Sequence, residues 1–189
     1  MKGLALELLK AQVQIENVVA SATLKHKLNL DVLARALPEG RYDPNHFPGI
    51  IYQLKKPKAT ALIFSSGKII CAGLKSERQA KRVLRKIIDE LRLSGVVIIG
   101  EPEIRIQNVV ASADLRGMID LEDAAYFLPR VVYDPEQFPG LIYRMEDPPL
   151  TFLVFAGGKV VCAGARSETD VYTAVAKLEE ELRGNELIT

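Results

Sequence analysis

The stretch Ile15-Glu16-Asn17-Val18-Val19-Ala20-Ser21-Ala22 returns 91 residues later as Ile106-Gln107-Asn108-Val109-Val110-Ala111-Ser112-Ala113. Extending the comparison outward, residues 15–91 align without a gap on residues 106–182, and 34 of the 77 pairs are identical. Tyr42-Asp43-Pro44 matches Tyr133-Asp134-Pro135, and Phe47-Pro48-Gly49 matches Phe138-Pro139-Gly140. Gly67-Lys68 and Cys71-Ala72-Gly73 match Gly158-Lys159 and Cys162-Ala163-Gly164. Self-similarity at one fixed spacing marks a duplicated structural unit. Two copies are too few for a solenoid, so the expectation is one pseudo-symmetric body with an approximate two-fold axis. The boundaries read as an N-terminal arm over 1–11, a first repeat over 12–94 and a linker with the start of the second repeat over 95–105. The second repeat then covers 106–183, and a short tail 184–189.

Within a copy, the residue pattern predicts a β-α-β-β-β-β-α unit of the α+β class. Val13 to Leu24 is rich in β-branched residues and alternates, placing Val13, Ile15, Asn17, Val19 and Ser21 on one face. A short helix is expected over about Asp31 to Leu37, with Asp31 as N-cap and Pro38 as stop. Tyr42-Asp43-Pro44 reads as a turn or short strand. Gly49–Leu54, Thr60–Phe64 and Lys68–Ala72 read as a meander, interrupted at Pro57 and turned by Ser65-Ser66-Gly67. Ser76 then caps a long helix to about Leu93, whose apolar stripe is Ala80, Val83, Leu84, Ile87, Ile88 and Leu91. The matching helix runs from Ser167 to about Arg183.

Helices must bury their stripes against a sheet face. That consumes one face of the sheet and leaves the other uncovered. By alternation the uncovered face carries Asn17, Val19, Ile51, Leu62, Phe64, Ile70 and Ala72. Its second-half counterpart carries Asn108, Val110, Ile142, Leu153, Phe155, Val161 and Ala163. Lys68, Lys75, Lys159 and Arg166 fringe it. A contiguous apolar patch of this size normally marks an interaction site, with self-association or a buried sheet–sheet core as the plainer readings. The details favour the DNA minor groove. That groove offers mainly acceptors over A·T pairs, which Asn amides can meet as donors. Small aliphatic side chains suit its floor, basic residues can reach phosphates, and Phe side chains can wedge between base steps. Phe47 with Phe64 and Phe138 with Phe155 form two candidate wedge pairs, each 17 residues apart.

Composition excludes other classes. Apolar residues make up 48% and charged residues 26%, as in ordinary globular proteins. No run approaches the ~18 apolar residues of a membrane span. The opening Met1-Lys2-Gly3-Leu4 leads into a short apolar stretch broken by Glu7 and Lys10, unlike a signal peptide. The protein is therefore expected to stay where it is made. Cys71 and Cys162 have no CxxC spacing and read as buried, inert thiols. His26 and His46 are isolated, so neither a metal nor another cofactor is expected. There is no nucleophile–base pair, no P-loop and no matched carboxylate pair, which argues against an enzyme. Net charge is +1, yet residues 1–94 hold 17 Lys/Arg and 8 Asp/Glu, whereas residues 95–189 hold 8 and 16. Arg78, Lys81, Arg82, Arg85 and Lys86 make the first long helix basic. Glu168, Asp170, Glu179, Glu180 and Glu181 make its counterpart acidic. The split suggests different partners for the two halves.

Taken together, residues 12–183 resemble the TATA-binding protein core domain. The motifs are Ile-Glu-Asn-Val-Val-Ala-Ser at 15–21, Tyr-Asp-Pro-x-x-Phe-Pro-Gly at 42–49 and 133–140, Gly-Leu-Ile-Tyr-Arg-Met at 140–145, and Leu-Ile-Phe-x-x-Gly-Lys at 62–68. The short arm and the near-symmetric halves look more like the archaeal form. The resemblance implies a saddle made of one curved antiparallel sheet with helices on its convex side. It implies a general transcription factor that binds a TATA element and kinks it; the figure of about 80° belongs to that family. Phe47 and Phe64 would insert at one end of the element, Phe138 and Phe155 at the other. Asn17 and Asn108 would bond the central pairs, with Val19, Leu62, Ile70, Ala72, Val110, Leu153, Val161 and Ala163 along the groove floor. Lys68, Lys75, Arg144, Lys159 and Arg166 would reach phosphates. Asp134 and Glu136 would meet a TFIIB-type factor, which brings RNA polymerase. The implied location is cytoplasmic, at the nucleoid, for an archaeal chain and nuclear for a eukaryotic one. Self-association through the same face is the expectation without DNA.

The chain departs from the family pattern in five places. Ala72 and Ala163 stand where the family usually has Thr, which removes two central hydroxyls. Gln53 stands where the family often has Arg, Gly157 replaces a Ser, and the acidic tail of many archaeal members is missing. A module of the same fold that binds protein or another nucleic acid through its open face is the alternative reading.

Overall fold

The structure is a computed structural model that describes residues 11–189. The readings of the first ten residues, including most of the N-terminal arm, lie outside the described residues. The first repeat runs β1 (Gln12–Thr23), α1 (Leu30–Ala36), β2 (Gly40–Arg41), β3 (Gly49–Lys55), β4 (Lys58–Phe64), β5 (Lys68–Leu74) and α2 (Glu77–Leu93). The second runs β6 (Glu103–Asp114), α3 (Leu121–Phe127), β7 (Val131–Val132), β8 (Leu141–Glu146), β9 (Pro149–Val154), β10 (Lys159–Ala165) and α4 (Glu168–Gly184). Both follow the β-α-β-β-β-β-α order expected from the residue pattern. Among the described residues no helix is long and apolar enough to cross a membrane.

The chain forms two compact units. One is residues 17–107; the other is residues 108–189 together with the stretch that ends at Glu16. In the first unit the strand order is β2-β3-β4-β5-β1, and in the second β7-β8-β9-β10-β6. Each meander is antiparallel, with Ile51 opposite Leu62 and Leu62 opposite Ile70 in the first unit. Ile142, Leu153 and Val161 line up identically in the second.

The core of each unit lies between the sheet and its long helix. On α2, Ala80, Val83, Leu84, Ile87, Ile88 and Leu91 are all buried, as their spacing of three and four predicts. They face the buried sheet residues Ile50, Ile63, Ile69 and Cys71. In the second unit Val171, Ala174, Val175, Leu178 and Leu182 do the same beside Phe152, Val154 and Val160. Each large aliphatic side chain so removed from water contributes roughly 1.5–3 kcal/mol before entropy is counted. Ser76 and Ser167 cap the two helices, accepting from Gln79 N and Asp170 N at 3.0 Å.

Three expectations need correction. The cap of α1 is Asn29, whose Oδ1 accepts from Val32 N at 3.1 Å; Asp31 sits inside the first turn. Starting one turn position earlier buries Leu30 together with Leu33, and Asp31 still opposes the helix dipole. Of the two readings of Tyr42–Pro44, the turn is the one found, and the short strand is Gly40–Arg41 just before it. β5 extends to Leu74, past Ala72, because a bulge keeps the chain in the ladder. Finally, Glu179 is not part of an exposed acidic face. It is buried, and Arg183 pairs with it at 3.0 Å while also donating to Leu115 O at 2.8 Å.

The end of the chain is also more than a tail. Leu187 and Ile188 are buried, and Thr189 exchanges two backbone bonds with Met118, at 3.1 and 2.9 Å. Asp120 N donates to Leu187 O at 3.1 Å. The docking needs Gly117, because a Cβ there would lie 2.5 Å from Thr189 O and 2.7 Å from Ile188 Cγ1. The equivalent position in the first unit is His26. The equivalent segment, Val96-Val97-Ile98, makes no such ladder among the described residues, and Val97 is 75% exposed.

Candidate nucleic-acid interface

Strand alternation gives each sheet a covered and an open face. In the first unit Ile51, Leu62, Phe64, Ile70 and Ala72 are half-buried, whereas their neighbours Ile50, Ile63, Ile69 and Cys71 are fully buried under α2. In the second, Ile142, Leu153, Phe155, Val161 and Ala163 are half-buried in the same way. Val19 and Val110 share this state, next to the buried Val18 and Val109. All the aliphatic residues assigned to the open face by alternation therefore lie there.

The aromatic residues pair as expected from their equal spacing. The rings of Phe47 and Phe64 lie 5.8 Å apart, as do those of Phe138 and Phe155. All four are partly exposed. The Phe-Pro-Gly turn explains the pairing. Asp43 Oδ1 accepts from Asn45 N, and Asp43 O accepts from Phe47 N at 3.0 Å, which folds the turn back toward the sheet. Asp134 does the same for Glu136 N and Phe138 N. The glycine at the end of each motif then lets the rings settle. A Cβ on Gly49 would lie 3.1 Å from Phe47 Cε1 and 3.2 Å from Phe64 Cδ1. Asp134 thus has an internal task in the turn, while Glu136 stands exposed at its tip.

The two asparagines are not free amides. Asn17 Oδ1 accepts from Gly73 N at 2.8 Å, and Asn108 Oδ1 accepts from Gly164 N at 2.8 Å. Four of the basic residues stand at the ends of β5 and β10. Lys68 and Lys159 begin β5 and β10, Lys75 and Arg166 follow them, and all four are exposed. Arg144 is exposed on β8, directly opposite Thr151. An open cleft of about 580 Å³ runs along Gln12, Gln14, Phe155, Gly157, Lys159 and Val161.

Three features were missed in the sequence. Thr60 lies directly opposite Ala72, and Thr151 opposite Ala163, each half-buried on the open face. The hydroxyls lacking at 72 and 163 are thus found one strand away. Their identity in both repeats was the available signal. Arg41 pairs with Ile51 and donates to Gln53 Oε1 at 3.1 Å, which brings a guanidinium beside the position where Arg was expected. No periodicity points to that contact. The third feature is the glycine partner of each asparagine, 56 residues away along the chain.

Ionisable groups on the covered side are perturbed by burial. Desolvation pushes the Cys71 and Cys162 thiols up to about 11. They are poor nucleophiles at neutral pH, as expected of core thiols. Burial, and then the 2.5 Å bond to Glu90 on α2, pushes Tyr52 up to about 12. Tyr143 is raised in the same direction by burial and by Glu181. These groups tie sheet to helix.

Comparison with known proteins agrees with this architecture. Residues 12–93 and 103–184 each match the family described as transcription factor TFIID, or TATA-binding protein, TBP. The TATA-box-binding protein of Sulfurisphaera tokodaii is 47% identical over 173 residues, covering 92% of this chain and 87% of that protein. That of Pyrobaculum calidifontis is 47% identical over 170 residues, covering 90% and 85%. The solved structure of Methanococcus jannaschii TBP superposes with a TM-score of 0.82 at 42% identity, covering 92% of this chain and 99% of that one. With both repeats matched and the fold shared along nearly the whole length, this chain belongs to the TATA-binding protein family.

Proposed function

We propose that this protein is a general transcription initiation factor, not an enzyme, whose open sheet faces bind the minor groove of a TATA-type element. The observation that carries this reading is the pair of Phe couples, each seated over a glycine at the same 5.8 Å ring separation. Such paired rings at the rim of an aliphatic strip suit insertion into a base step and are poorly placed for core packing. Phe47 with Phe64, and Phe138 with Phe155, unstack the step each pair meets. Val19, Leu62, Ile70, Ala72, Val110, Leu153, Val161 and Ala163 press on the groove floor, and Asn17 and Asn108 donate to base acceptors. Lys68, Lys75, Arg144, Lys159 and Arg166 hold phosphates without reading sequence. The exposed Glu136, on the turn shaped by Asp134, offers a contact for a TFIIB-type factor, and RNA polymerase follows through that factor. Without DNA the same apolar strip favours self-association.

The deciding experiment is a titration with a TATA duplex and a G·C-rich duplex, both carrying an energy-transfer pair across the site. Preference for TATA with a shortened end-to-end distance is expected. Phe138→Ala with Phe155→Ala should remove the bend while leaving the melting transition cooperative. Equal binding to both duplexes with no bend would reject groove binding and favour a protein-binding module of the same fold.

A further inference from the structure

We propose that Gly73 and Gly164 act as positioning residues that set base-pair selectivity through Asn17 and Asn108. This deepens the groove reading above and rests on the two asparagines facing base edges. A carboxamide carries an acceptor and a donor of nearly equal size, so an unrestrained Asn can turn either end outward. Here that freedom is removed twice, by the same device. Along the β1–β5 pair, the register passes from Val18 opposite Leu74 to Ala20 opposite Cys71, so β5 carries one residue more than β1. Along the β10–β6 pair it passes from Cys162 opposite Ala111 to Ala165 opposite Val109, and β10 carries the extra residue. Gly73, at φ +90°, and Gly164, at φ +97°, lie inside these bulges. A bulge takes one backbone amide out of the ladder. Each freed N–H is spent on the Asn carbonyl at 2.8 Å.

The chemical consequence follows from the groove. With its oxygen held, each Asn presents the NH2 group outward, so the face offers donors at these two points. An A·T pair displays only acceptors in the minor groove, and a G·C pair adds the guanine 2-amino donor. Donor then meets donor, and G·C is rejected. A freely turning amide would flip, accept from the 2-amino group and lose the discrimination. Glycine is required by conformation and not by space. A Cβ at 73 or 164 would have no neighbour closer than 3.6 Å, yet L side chains rarely adopt these positive φ values.

The test compares the full chain with three double variants on a TATA duplex and on the same duplex with its two central pairs changed to G·C. The readout is the ratio of the two Kd values. Asn17→Asp with Asn108→Asp keeps an oxygen for each glycine N–H but turns an oxygen outward. The ratio should fall by about tenfold or more, because the 2-amino group gains an acceptor. General repulsion of phosphates affects both duplexes and cancels. Gly73→Ala with Gly164→Ala leaves both asparagines in place and should lower the same ratio severalfold. In the wild type, a scalar coupling across the hydrogen bond from Gly73 nitrogen to Asn17 Cγ should be visible by NMR, and it should vanish in the alanine variant. An unchanged ratio in the folded glycine variant overturns the proposal. If that variant does not fold, the Asp variant and the wild-type coupling decide, and absence of either effect overturns it. Asn17→Ala with Asn108→Ala separates the two layers. If this variant keeps the full ratio, the asparagines do not read bases and the underlying contact assignment is what fails.

Discussion

Gly140 lies under both Phe138 and Phe155, so close that a single added methyl would stand 2.8 Å from one ring and 3.0 Å from the other. The wedge is therefore built by an absence of side chain as much as by the rings. Gly140→Ala should splay the pair. The expected result is a loss of DNA bending close to that of the double Phe variant, with stability lowered by about 1–3 kcal/mol from overpacking. Energy transfer across the duplex and a urea melt measure the two effects separately. Retention of the full bend would show that the rings do not need this seat.

Gly117→Ala should expel the C-terminal segment Leu187–Thr189, since its Cβ would collide with Thr189 O and with Ile188. Leu187 and Ile188 would return to water, at a cost of about 2–4 kcal/mol. Hydrogen exchange at the Met118, Asp120 and Thr189 amides should then become fast, while the parent protects them. His26→Gly, at the equivalent place, should change neither property.

Alkaline pH should destabilise the protein before it ionises the native thiols. Burial raises Cys71 and Cys162 from the ordinary 9.0 to about 11 in the folded chain. The unfolded chain thus releases these protons first, and stability falls as pH climbs from about 9 through 11. Tyr52, raised from 10.0 to about 12, extends the fall to higher pH. Melting temperatures between pH 7 and 11 should decline from about pH 9 upward. At pH 8 iodoacetamide should label both thiols only in denaturant. A flat profile to pH 11 would contradict the burial of these groups.

Thr60→Val with Thr151→Val should weaken TATA binding severalfold with little change in the melt. Each Thr stands directly across from an Ala on the open face, and its hydroxyl is the nearest replacement for the one absent at 72 or 163. Introducing Ala72→Thr with Ala163→Thr into that background should restore the affinity. Failure of the rescue would indicate that the hydroxyls serve the sheet and not the groove.

Charge reversal at Arg78, Lys81, Arg82, Arg85 and Lys86, all exposed on α2, should leave binding to naked TATA DNA intact. It should weaken a ternary complex that uses this helix. Equal loss in both gel-shift assays would refute a separate partner surface.

The residue pattern reveals the long strands and helices, because two local periods carry the signal; the two-residue strand Gly40–Arg41 is too short to show either period. Alternation of Ile50 with Ile51, and of Ile63 with Leu62, separates core from open face without any knowledge of the partner strands. The stripe from Ala80 to Leu91 does the same for α2. What the pattern hides depends on contacts across distance. The bond from Gly73 to Asn17 spans 56 residues and arises from a bulge, which no periodicity encodes. Glu179 looks like one acid among several until Arg183, itself held by Leu115 O, is seen to pair with it. The docked segment after α4 is invisible for the same reason. Its anchor is the missing side chain of Gly117.

That last contrast makes the two copies unequal at one edge. In the second, Leu187–Thr189 lies against the loop that carries Gly117, where an added methyl would collide with it. In the first, His26 occupies the matching position, and Val96–Ile98 makes no such pairing among the described residues. A gapless repeat in sequence therefore does not imply a repeated edge: the matching stretch closes one unit and leads out of the other.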